Sequence, residues 1–141
     1  MATMILGNAA VSSERGYAQQ ITTANGHHLA SDEPERRGGT NTGAAPFDLM
    51  LSALGACTAI TLRMYADRKQ WQLGTVDVRL RLVKEGDAPM HIERKIAVAQ
   101  PMDGEQQAKL LEIADKTPVT KAIAPGVPIQ TTFETSTQPA R

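Results

Sequence analysis

The sequence predicts an α+β domain, on three observations. Two stretches read as antiparallel hairpins, each a pair of extended segments around a turn-forming sequence. The stretch between them, Pro46 to Lys69, is apolar nearly all round, as a helix buried in protein is. A shorter helix, a final short helix and a last strand follow. The order hairpin, long helix, hairpin, helix, strand gathers the helices on one face of antiparallel sheet.

Tyr17 to Ser31 is the first hairpin: a strand YAQQITT, an Asn25-Gly26 turn and a returning strand HHLAS. Asn-Gly tolerates the positive φ that a tight hairpin turn demands. Asp32 to Gly43 is loop by composition, with Gly38, Gly39 and Gly43 as breakers. These glycines either let the backbone approach a ligand or partner closely or simply turn the chain.

Pro46 suits the first position of a helix, where its missing N–H would be unpaired in any case. Asp48 complements the positive end of the helix dipole. The helix runs to Gln70. Its first half (Phe47, Leu49, Met50, Leu51, Ala53, Leu54) is expected to be covered on all sides, while Arg63, Asp67 and Arg68 make its second half amphipathic.

From Thr75 to Val83, Val76, Val78, Leu80 and Leu82 face one way and Asp77, Arg79 and Arg81 the other, as in a half-exposed antiparallel strand. After the turn sequence Glu85-Gly86-Asp87-Ala88-Pro89 the pattern resumes with Ile92, Arg94, Ile96 and Val98. Asp103 opens a helix with Gln106 as its capping-box partner, and Leu110, Leu111 and Ala114 form its apolar stripe. That helix is expected to stop at Lys116, because Thr117 precedes a proline. Thr117 and Pro118 are N-cap and first residue of a short helix, PVTKAI. A last strand, Val127 to Glu134, closes the chain, and the tail from Ser136 to Arg141 is expected to fray.

At 141 residues the chain fits a single domain, 1–141, with room for a hydrophobic core. Lys plus Arg and Asp plus Glu number 15 each, so the basic field that nucleic-acid binding needs is missing. A net charge of zero also disfavours a freely soluble monomer and points to an oligomer. The N-terminus lacks a charged n-region and a long apolar stretch, so no signal peptide is read. One cysteine excludes a disulfide scaffold and fits a cytoplasmic protein. Ala44 to Leu62 raises the question of a membrane span. Asp48, Ser52, Thr58 and Thr61 interrupt it and no basic cluster flanks its start, so it is assigned to protein core rather than to a bilayer.

Cys57, the only cysteine, lies in the middle of the apolar helix and is either inert core or the chemical centre of the protein. The thiolate is the nucleophile, and apolar burial disfavours it, so a reactive Cys57 needs a cation or a neighbouring helix N-terminus. His27 and His28 point to opposite faces of a strand, and His91 stands alone beside Glu93. No zinc-like spacing, phosphate loop or Gly-x-Ser-x-Gly motif occurs, and no metal or cofactor is expected.

The segment GGTNTGAAPFDLMLSALGACTAITLRMYADRKQWQL, Gly38 to Leu73, resembles the helix segment of the OsmC/Ohr family of osmotically inducible and organic hydroperoxide resistance proteins. The preceding HLASDEP, the second hairpin and LLEIADKTPVTK, Leu110 to Lys121, match one branch of that family, so the likeness runs from His28 to Phe133. The resemblance implies an intertwined homodimer in which antiparallel sheets pack on long central helices, with sites at the subunit interface. It also implies a pair of cysteines, the first attacking a peroxide and the second resolving the sulfenic acid as a disulfide.

Cys57 matches the first of these. The second lies in a Lys-Cys-Pro-Val pattern, and this chain has Lys116-Thr117-Pro118-Val119, with Thr117 at the resolving position. A hydroxyl cannot form a disulfide, so the two-cysteine cycle is excluded. What the resemblance leaves is a one-cysteine cycle restored by an external thiol reductant.

Peroxide-reducing members carry a glutamate ten residues before the helix cysteine, paired with an N-terminal arginine; Phe47 stands at that glutamate position here. Asp48 lies nine residues before Cys57, like the acid of the most similar branch. Nine residues turn a straight helix by about 900° and advance it about 13.5 Å. Asp48 therefore acts on the partner's site, or on its own through a kink near Gly55, or is simply a first-turn acid on the helix dipole. Arg15 is the candidate for the N-terminal arginine. The helix that starts at Thr117 is a second source of positive potential, with Thr117 either a hydrogen-bond donor near the sulfur or a cap alone. Two functions are implied: reduction of small apolar hydroperoxides through Cys57, or a non-catalytic dimer that holds a small hydrophobic ligand. Neither involves nucleic acid or membrane.

Overall fold

The computed structural model describes residues 2–135, and the tail from Ser136 expected to fray lies outside them. The chain divides into two compact units, Met1–Leu49 with Thr132–Arg141, and Met50–Thr131.

The first unit carries a three-stranded antiparallel sheet of β1 (Ala9–Ser12), β2 (Gln19–Thr23) and β3 (His28–Ser31), in that order. Asn25 and Gly26 close β2 onto β3 with φ of 66° and 79°, the two positive values that this turn requires. β1 is not predicted by the sequence pattern. Ala-Ala-Val-Ser is an edge strand exposed at every position, with no alternation to betray it.

One carboxylate orders the loop after β3. Asp32 is 2% exposed and accepts hydrogen bonds from the amides and hydroxyls of Thr40 and Thr42 and from the Glu33 amide. The Thr40 hydroxyl, aided by the other donors, holds the Asp32 carboxyl far below its ordinary range, against the opposing effect of burial. A Cβ on Gly43 would stand 2.5 Å from the Ala30 carbonyl oxygen, so this glycine is needed for the chain's approach to its own backbone.

Helix α1 is Pro46–Lys69; Pro46 to Leu49 belong to the first unit and Met50 onward to the second. Its buried residues are Leu54, Thr58, Leu62 and Ala66, a single row at a spacing of four. The cover expected on all sides of its first half is not found: Phe47 is 56% exposed, Ala53 is exposed and only Leu54 is buried, and in the second half Ile60 and Met64 are also exposed. One chain supplies packing for one face of the helix only. By length and composition α1 is able to cross a membrane, with a mean hydropathy of 1.4 over its most apolar window.

In the second unit β4 (Val76–Val83) and β5 (His91–Val98) pair antiparallel, with Val76 opposite Val98 and Val83 opposite His91. Their predicted alternation holds, the even-numbered residues of β4 facing inward. Helix α2 is Gly104–Ala114, opened by the Asp103–Gln106 capping box. It ends before the expected Lys116 because Asp115 caps it and the Lys116 amide turns back to the Ile113 carbonyl. Helix α3 is Pro118–Ile123 with Thr117 as its N-cap. Leu62, Ala66, Leu73 and Leu110 form the core, flanked by Tyr65 and Trp71 stacked edge-to-face at 5.5 Å.

The strand expected at Val127 to Glu134 is absent. Val127, Ile129 and Phe133 are 62%, 89% and 95% exposed. The alternation is present in the sequence, but a lone extended segment neither pairs its backbone nor buries its apolar side without a sheet edge. It pairs with none of the described strands.

Candidate functional site

The alternation that turns Ile92, Ile96 and Val98 inward takes Arg94 of β5 in with them. A buried cation requires partners, and this one finds them on three helices. Its Nη1 donates to Thr58 Oγ1 on α1 at 3.0 Å and to Thr120 Oγ1 on α3 at 2.9 Å. Its Nη2 donates to the Ala114 carbonyl at the end of α2 at 3.1 Å, and to Asp115 Oδ1 at 3.4 Å. The guanidinium side chain is 13% exposed and that of Asp115 81%. The one acid in reach among the described residues therefore stands in solvent and offsets little of the charge.

The hydroxyls continue this chain of bonds. Thr58 donates to the Leu54 carbonyl at 2.6 Å. Thr117 and Thr120 hydroxyls lie 2.6 Å apart, and Thr117 Oγ1 accepts the Thr120 amide at 3.4 Å as the cap of α3. Thr120 donates its proton to the Ala114 carbonyl at 3.2 Å, which assigns the Thr117 proton to Thr120 Oγ1. Thr58 and Thr117 are both fully buried. One guanidinium and three hydroxyls thus tie α1, the end of α2 and the start of α3 together.

Cys57 is half-buried. It immediately precedes Thr58 and is turned from it by about 100° around the helix. Thr117 lies in the same unit and connects to Thr58 through Thr120 and Arg94, its hydroxyl engaged with Thr120. Arg15 and Asp48 belong to the first unit, Arg15 in the exposed bend between β1 and β2. Asp48, in the first turn of α1, lines a cavity of about 500 Å³ with Arg36 and Arg37. Among the described residues, no group of three or more His, Cys, Asp or Glu side chains is placed to hold a metal ion.

Arg94 was not among the residues that the sequence singled out, although an arginine in the apolar phase of a strand was the available signal. Beside it opens a groove of about 760 Å³ walled by Met50, Leu54, Leu82, Ile92, Leu111 and Ile123, with Arg94 and Thr120 among its polar residues.

The family model described as OsmC-like protein matches residues 39–132, a span that holds Cys57, Arg94 and Thr117. The chain belongs to the OsmC-like family. No curated protein matches it. Among solved structures it is similar to an OsmC-like protein from Mycoplasma pneumoniae, with 13% identity, a TM-score of 0.68 and coverage of 88% of this chain and 89% of that one. It is also similar to the organic hydroperoxide resistance protein OsmC from Legionella pneumophila, at 17% identity and TM-score 0.64 over 86% of this chain and 91% of that one. A third likeness is to the organic hydroperoxide resistance protein OhrB of Bacillus subtilis, at 21% identity and TM-score 0.57 over 84% and 90% of the two chains. At these identities the likeness carries the fold, an α+β arrangement of small antiparallel sheets with a long helix.

Proposed function

We propose that this OsmC-like protein, as a single domain over 1–141, is a one-cysteine reductase of small apolar hydroperoxides that acts in the cytoplasm as a homodimer. The observation that supports this most is the nearly buried Arg94 cation bonded to Thr58, the residue next to the only thiol of the chain. The network places a positive charge on the helix position adjacent to Cys57.

In this reading the Cys57 thiolate attacks the terminal hydroperoxide oxygen and the O–O bond breaks. The departing alkoxide takes a proton to become the alcohol, and the sulfur becomes a sulfenic acid. With Thr117 in place of a second cysteine, an external dithiol displaces water from the sulfenic acid to form a mixed disulfide. Its second thiol then releases reduced Cys57 and leaves with the disulfide. Thr117 fixes the start of α3 within the unit that carries Cys57. The dimer reading is supported by the exposed face of α1 formed by Ala53, Ala56, Ile60 and Met64, centred about 110° around the helix from Leu54.

Wild-type protein is expected to consume cumene hydroperoxide with dithiothreitol as reductant, and Cys57→Ser to show no turnover. A Cys57→Ser variant with full activity contradicts the proposal. The groove favours a second reading, because Cys57 is not among its lining residues: the dimer then holds a small hydrophobic ligand without turnover. Alkylation of native Cys57 as a function of pH separates the two. An apparent pKa below the free value of about 8.5 supports the reductase, and labelling only after unfolding supports the ligand-binding dimer.

A further inference from the structure

We infer that the groove of the second unit binds an anionic amphiphile, an aliphatic chain ending in a carboxylate, with the carboxylate seated on Arg94. This site goes beyond the thiol chemistry and does not depend on it. Among the described residues the Arg94 charge has no buried counter-ion: its partners are two hydroxyls, one carbonyl and the outlying carboxylate of Asp115. A guanidinium taken out of water among neutral acceptors is left under-compensated, and an arriving anion restores the balance.

The geometry of the donors fits that role. Both Nη1 protons are committed to Thr58 and Thr120, whereas the Nε–H has no partner among the described residues. One Nη2 proton goes to the Ala114 carbonyl and the other to Asp115 at 3.4 Å, a long bond to a group 81% exposed. The Nε–Nη2 edge of a guanidinium receives a carboxylate through two parallel bonds. Asp115 bonds Nη2 alone, at a long distance, and its exposed side chain can give way by rotating into solvent.

The walls select the rest of the ligand. Met50, Leu54, Leu82, Ile92, Leu111 and Ile123 carry no charge, and about 760 Å³ lies within the ordinary size of small-molecule sites, about 300–1,000 Å³. His91, the other titratable residue of the lining besides Arg94 and Asp115, is drawn toward Glu93 at 3.6 Å. An uncharged alcohol gains only the walls, while a carboxylate gains the walls and Arg94.

Calorimetric titration of decanoate into the full chain at neutral pH, with decanol as the uncharged control, tests the inference. Decanoate is expected to bind about tenfold more tightly than decanol. Arg94→Met brings decanoate down to the level of decanol, and Arg94→Lys restores part of the difference. Asp115→Asn, which leaves the bonds to Thr58 and Thr120 in place, tightens decanoate severalfold without changing decanol. Cys57→Ser leaves every one of these values unchanged, so failure here is distinguishable from failure of the reductase reading. Equal affinity for decanoate and decanol, absence of decanoate binding, or no effect of Asp115→Asn overturns the inference.

Discussion

Thr117 illustrates how one side chain serves two levels of structure at once. Its oxygen caps α3 through the Thr120 amide, and its proton extends the Arg94 network through the Thr120 hydroxyl. Thr117→Ala removes both and is expected to cost about 1–2 kcal/mol, seen as a lower urea midpoint at unchanged slope, whereas Thr117→Ser retains most of the stability. An unchanged midpoint in Thr117→Ala contradicts the capping role. Asp32 makes a pH-dependent contribution of definite sign. Its folded carboxyl is held below the ordinary value of 3.8, so its stabilisation is present in full above that value and fades as pH falls through and below it. Protection of the Thr40 and Thr42 amides, relative to their intrinsic exchange, is therefore expected to fall between about pH 4 and about pH 2 by more than that of β4 and β5 amides. Asp32→Asn should make the loop amides fast throughout the range. Equal pH response in the loop and in β4–β5 contradicts the assignment.

At the scale of elements, what is encoded locally was legible. Asn25-Gly26, the Asp103–Gln106 capping box and the Thr117-Pro118 start of α3 each follow from the chemistry of two to four neighbouring residues. What depends on distant partners was not. The Arg94 network joins residues 36 and 26 positions apart, and the alternation that located Arg94 on the inner side of β5 says nothing of what it meets there. β1 lacks an alternation, and Val127 to Glu134 has one but pairs with no described strand. The loop glycines were ambiguous in the sequence for the same reason, since the closeness of Ala30 to Gly43 is a tertiary fact. Gly43→Ala forces that backbone apart and is expected to destabilise by about 1–3 kcal/mol in thermal or urea melts. A neutral substitution contradicts the close approach.

For the whole molecule, the exposed apolar side of α1 and the half-buried thiol on the same helix belong to one account. A helix this apolar whose single chain covers only the Leu54–Ala66 row is expected to meet a second copy through Ala53, Ala56, Ile60 and Met64. Sedimentation of the wild type should give a dimer, and Met64→Glu, which places a charge on that face, should shift it toward monomer. A wild-type monomer at micromolar concentration contradicts the dimer proposal. The family assignment and fold hold whichever way the chemistry falls, because they rest on residues 39–132 as a whole and not on the cysteine.

The chemistry rests on Cys57 being reactive and reachable in the folded protein. Mass spectrometry of the native protein after brief exposure to cumene hydroperoxide, with dimedone as a trap, tests that directly. The account predicts the dimedone adduct on Cys57 in the wild type at neutral pH, and a diminished yield in Arg94→Met. An unmodified Cys57 in the folded wild type, modified only once the chain is unfolded, contradicts it.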